Sequence, residues 1–132
     1  MEPRITLLTL GVDDIERSLA FYRDGLGLPT EGITQDVVFF KLQGAWLSLY
    51  SNESLARDVG PGPRTRGFAG ITIAHNVRSR DEVDTLLERA RQAGATIPSP
   101  AREMHWGGYV GFFTDPDGHV WEIAWNPQFR VE

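Results

Sequence analysis

One order of elements occurs twice in this sequence, and that repetition constrains the fold more than any other feature. Residues 5–12 (ITLLTLGV) form a β-branched and leucine-rich run, short enough to be a strand buried on both faces. Asp13 and Asp14 follow as helix N-cap candidates, with Glu16 three places after Asp13 as in a capping box. Ile15, Leu19, Tyr22 and Leu26 recur at helical spacing, and Gly25 or Gly27 supplies the stop. Three short strand candidates come next, at 30–34, 37–42 and 45–50, separated by Asp36 and by Gln43-Gly44. Residues 51–60 have some helical character, and Gly60-Pro61-Gly62-Pro63 then makes the strongest break in the chain.

After that break the order starts again. Residues 68–77 read as a strand, Ser79 as an N-cap with Glu82 at the capping-box position, and Val83, Leu86, Leu87 and Ala90 as one helical stripe ending at Gly94. Strand candidates follow near Thr96-Ile97, at 109–114 and at 119–125, the last two joined by the tight turn Asp115-Pro116-Asp117-Gly118. Val12, Asp14 and Gly27 correspond to Val77, Ser79 and Gly94, an offset of 65–67 residues, about half of the 132-residue chain. The expected class is therefore α+β: two tandem βαβββ modules, 1–60 and 67–132, joined by a Gly/Pro linker at 60–66 in one domain of ordinary size. One such module curls its sheet but cannot cover the concave face, whereas two can enclose a ligand cleft.

Composition narrows the partners. With no cysteine, disulfides, thiolate metal sites and cysteine nucleophiles are excluded. A net charge of −5 argues against nucleic acid, whose phosphates call for a basic face. No apolar run approaches the ~20 residues of a membrane span, and the first residues lack the regions of a signal peptide. A cytoplasmic protein is expected.

Residues 10–27 (LGVDDIERSLAFYRDGLG) resemble the opening D-[IL]-x-x-S-x-x-F-Y-x-x-x-L-G of vicinal-oxygen-chelate proteins. Residues 115–123 (DPDGHVWEI) resemble the closing D-P-D-G-x-x-x-E-[IL] of the same superfamily, which includes glyoxalases, bleomycin-resistance proteins and extradiol dioxygenases. The resemblance spans nearly the whole chain and implies a paired βαβββ, partly open barrel-like sheet around a central cleft, commonly in a dimer. It also implies a divalent metal held by His or Glu from four strands. Those positions fall here on Leu7, Ser48, Gly70 and Glu122, and only Glu122 keeps a ligand of that kind. A catalytic ion needs about three protein donors, so no metal cofactor is expected.

Counting by twos from those positions gives the cleft-facing candidates Leu7, Thr9, Trp46, Ser48, Tyr50, Gly70, Thr72 and Glu122, with Val120 and Ala124 beside Glu122. The loop His105-Trp106-Gly107-Gly108 and Tyr109 supply a rim, while Trp121 and Trp125 face away from Glu122. Aromatic rings with a few fixed polar groups suit a planar or partly apolar ligand. The sequence therefore points to a metal-independent, glyoxalase/bleomycin-resistance-like homodimer that binds a small organic molecule, aromatic or antibiotic-like. Two alternatives stand beside it: a lyase or isomerase with Glu122 as catalytic acid or base, and a structural dimer without a ligand.

Overall fold

The computed structural model describes residues 1–60, 68–69, 71–129 and 131. The chain divides into two compact units, Met1–Arg64 and Thr65–Glu132. Each is a four-stranded mixed sheet with the same topology, a βα crossover followed by three strands, so the architecture is α+β in two modules.

In the first unit β1 (Leu7–Val12) leads into α1 (Ile15–Leu19), followed by β2 (Ile33–Thr34), β3 (Val37–Phe40), β4 (Trp46–Ser51) and α2 (Asn52–Val59). The strand order is β1-β4-β3-β2, with β1 parallel to β4 and the other pairs antiparallel. Asp14 is the cap of α1, its carboxylate accepting from the Glu16 and Arg17 amides at 3.1 Å each. Asp13, the other cap candidate, instead accepts from the Asn52 amide nitrogen at 2.7 Å. Beyond Leu19 the helix widens into a π-helical segment, Ala20–Gly25, which places the consecutive rings of Phe21 and Tyr22 both in the core. These rings meet edge to face at 5.0 Å, and Tyr22 lies 5.9 Å from Phe40. Leu10, Val12, Val38, Phe40, Leu47 and Leu49 are buried on the helix side of the sheet, each worth about 1.5–3 kcal/mol of transfer free energy.

In the second unit β5 (Ile73–Val77) leads into α3 (Arg80–Gln92), then β6 (Arg102–Glu103), β7 (Tyr109–Thr114) and β8 (Val120–Trp125), in the order β5-β8-β7-β6. Ser79 caps α3 by accepting from the Glu82 amide at 3.1 Å, and Glu82 reaches back to the Arg78 amide at 2.7 Å. At the other end Gly94, with φ +113°, closes a Schellman motif: Ala95 donates to the Ala90 carbonyl and Gly94 to that of Arg91. Val83, Leu87 and Ala90 are the buried stripe of α3. The strand expected near Thr96-Ile97 is only a single bridge from Thr96 to Thr114, and the fourth strand is Arg102–Glu103. The strand expected over 68–77 begins at Ile73, with Phe68 and Ile71 exposed. The Asp115 carboxylate holds the β7–β8 turn by accepting from the Asp117 and His119 amides at 3.0 and 2.8 Å.

Candidate functional site

Strand register sorts the residues of the first unit onto two faces. Leu7 is paired with Trp46, Thr9 with Ser48 and Gly11 with Tyr50, while Phe39 and Val37 sit opposite Ser48 and Tyr50. The five expected residues Leu7, Thr9, Trp46, Ser48 and Tyr50 thus share the face opposite α1. A cleft of about 370 Å³ lies on this face, lined by Leu7, Thr9, Val37, Phe39, Ser48 and Tyr50, with Gln35 and Asp58. A second cleft of about 560 Å³ adjoins it, sharing Gln35, Val37 and Phe39 and adding Trp46, Lys41 and the loop at 29–32. Both volumes fall within the usual range for small-molecule sites.

Several polar groups lie among these apolar ones. Ser48 is buried and its hydroxyl is paired with that of Thr9 at 2.6 Å. The Tyr50 hydroxyl forms no hydrogen bond with a described residue. Trp46 stands edge to face with Phe39 at 6.4 Å, and the Lys41 ammonium lies 5.4 Å from its ring centroid. Val37, Phe39 and Lys41 were not among the expected residues. Their alternation along β3 and its continuation, Val37-Phe39-Lys41, is the signal that would have found them.

In the second unit Glu122 lies half-buried on β8 between Ala74 of β5 and Phe112 of β7. Its carboxylate makes no hydrogen bond or ion pair with a described residue. Val120 and Ala124 share its face, and Thr72, two places ahead of Ala74, lies just outside β5. Gly70 lies outside the described residues. Tyr109 is not brought to this face. Paired with Trp125, it belongs to the side covered by α3, where its hydroxyl donates to Asp84 at 2.8 Å, and that hydrogen bond raises its pKa above the usual phenol value. Trp106 folds back over Gly108 in the β6–β7 hairpin, where a Cβ on that glycine would come within 2.1 Å of the indole.

Trp121 and Trp125 also lie on the α3 side. Trp121 is buried and stacked at 6.1 Å on Phe113, while Trp125 carries the Arg80 guanidinium 4.3 Å above its ring. His75 shares this side of the sheet. Loss of water around its ring lowers its pKa, and Glu82 opposes that shift.

The residues to which the resemblance assigns the four metal positions offer a poor donor set for an ion. Leu7 and Gly70 have no donor atom in their side chains, and the Ser48 hydroxyl is engaged with Thr9. Among the described residues no three His, Asp or Glu side chains are grouped so as to hold a metal.

The motifs and the doubled βαβββ topology agree with one class of protein. The chain belongs to the Glyoxalase/Bleomycin resistance protein/Dioxygenase superfamily, whose profile matches residues 4–123. Among solved structures it resembles a glyoxalase-related enzyme from Fulvimarina pelagi, with 35% identity and a TM-score of 0.90 over 98% of this chain and 93% of that one. A lactoylglutathione lyase from Agrobacterium tumefaciens is 25% identical, with a TM-score of 0.73 and full coverage of both chains. Among curated relatives, the metallothiol transferase FosB of Lysinibacillus sphaericus is 27% identical over 119 residues, 90% of this chain and 79% of its own.

Proposed function

We propose that this chain binds a small, largely apolar and aromatic organic molecule on the cleft face of its first unit, without a metal ion. One observation carries the reading. A sheet face with two adjoining clefts exposes the rings of Phe39 and Trp46, while the Thr9 and Ser48 hydroxyls are already paired with each other. Such a surface offers dispersion and ring contact at its centre, with polar side chains around it, which favours a flat, largely apolar guest. Sequestration of a toxic or antibiotic-like compound is the closest analogy, and folds alone do not fix function. The absence of a metal is supported by the donor chemistry of Leu7, Ser48 and Gly70. We propose a cytoplasmic homodimer as the working form, without nucleic-acid or membrane partners; a monomer mass by light scattering at about 50 μM would contradict the dimer.

The test is a titration with the neutral fluorophore N-phenyl-1-naphthylamine. Binding should weaken about tenfold or more in Trp46→Ala with the fold retained, since a lost ring contact adds to lost buried area. Equal binding by Trp46→Ala and the wild type refutes the site. A second reading, a lyase or isomerase, is favoured by one feature, the half-buried Glu122 carboxylate, which has no partner among the described residues.

A further inference from the structure

The larger of the two clefts contains a cation that the proposed aromatic site does not require. Lys41 follows β3, where continued register sets it opposite Trp46, and its ammonium lies 5.4 Å from the indole centroid. It forms no hydrogen bond or ion pair with a described residue. Among the described residues the charge therefore faces a ring rather than an acid. Phe39 and Trp46, in contact with each other, are still 40% and 37% exposed, so their rings are open to a guest.

We propose that Lys41 reads an anionic substituent, so that the ligand class is a planar aromatic monoanion: a ring against Phe39 and Trp46 with a carboxylate or sulfonate beside it. This rests on the function proposed above and adds charge selection to it. The cation–π contact limits the rotamers open to the lysine, so less conformational freedom is lost when an anion arrives. Glu31 lines the same cleft and makes no ion pair with Lys41. Its charge opposes a second negative group, which favours singly charged guests over dianions. The side chains are exposed, so the selection is modest and sensitive to salt.

The test compares two probes with one ring skeleton: 1-anilinonaphthalene-8-sulfonate and its uncharged parent, N-phenyl-1-naphthylamine. At low salt the wild-type protein should bind the sulfonate about three- to tenfold more tightly than the parent. Lys41→Met should abolish that preference, read as the ratio of the two affinities within the same variant and with the melting temperature as the check on the fold, and Lys41→Arg should restore it. A preference that persists in Lys41→Met, or is absent from the wild type, overturns the role of Lys41 while leaving the aromatic site standing. Failure of the wild type to bind either probe refutes the aromatic site itself and this inference with it.

Discussion

Replacing Gly111 with alanine tests which face of the second sheet is covered, and hence which face is left to Glu122. A Cβ built on Gly111 would lie 2.3 Å from a δ-methyl of Leu87 and 3.2 Å from Cβ of Ala101. Favourable carbon contacts lie near 3.5–4.0 Å, so the overlap exceeds about 1 Å. Leu87 is 6% exposed on the buried stripe of α3 and has little free space into which to rotate. Overpacking of this kind costs about 1–3 kcal/mol. Leu87→Ala alone removes the obstructing methyl and should cost about 2–5 kcal/mol as a cavity. In the double variant the new methyl occupies part of that cavity, so its stability should match or exceed that of Leu87→Ala alone. The interaction term is then at least about 1 kcal/mol in magnitude, well above the few tenths typical of independent sites. Urea unfolding followed by far-UV circular dichroism measures all four members of the cycle, with equal m-values as the check that one transition is being compared. A double variant that loses the full sum of the two single costs would show that Leu87 does not press on Gly111. The assignment of α3 to that face would then fail.

Three further outcomes follow from named residues. The two-residue β2–β3 turn holds Gln35 and Asp36 at φ +51° and +68°, so Gln35→Asn with Asp36→Gly should add about 1 kcal/mol, a rise of about 3–5 °C in melting temperature. An unchanged or lower melting temperature contradicts the turn geometry. Folding disfavours the charged form of His75, so the stability tied to it is present above the unfolded pKa of about 6.5 and lost as pH falls below that value. Wild type should therefore lose more urea resistance than His75→Gln between about pH 7.5 and 5.5, and equal losses would remove His75 from the account. Glu122→Gln should leave binding of aromatic probes unchanged. A loss of turnover of about 10²–10⁴-fold in any reaction found for the protein would instead favour the lyase or isomerase reading.

The chain's local grammar made much of the fold legible. Capped starts at Asp14 and Ser79, left-handed glycine stops at Gly27 and Gly94, and the Asp115–Gly118 turn are decided within a few residues. The less legible elements depend on partners distant in sequence. Arg102-Glu103 has no apolar alternation and is a strand only because β7 supplies its ladder, assisted by the Arg80–Glu103 ion pair at 2.6 Å. Phe68 and Ile71 are apolar but have no pairing strand among the described residues, so β5 starts later than its hydrophobic run. The π-helical widening at Ala20–Gly25 answers a packing need for both Phe21 and Tyr22 that helical spacing does not encode.

The candidate face was legible to a similar extent. Period-two counting within β1 and β4 found one face of the first unit, because register preserves parity across a ladder. Tyr109 departs from the expected rim because the β7–β8 pairing sets it opposite Trp125, which turns that ring toward α3. Carrying the count from β4 to β3 adds Val37 and Phe39.

The most direct test of the central claim is to locate the bound guest residue by residue. Backbone amide spectra of labelled protein, recorded while N-phenyl-1-naphthylamine is added, should show saturable shifts concentrated at Leu7, Thr9, Val37, Phe39, Trp46 and Tyr50, and in Trp46→Ala they should appear only at far higher probe concentration. Shifts confined to other parts of the chain, or no saturable shift at all, would contradict a ligand site on the cleft face of the first unit.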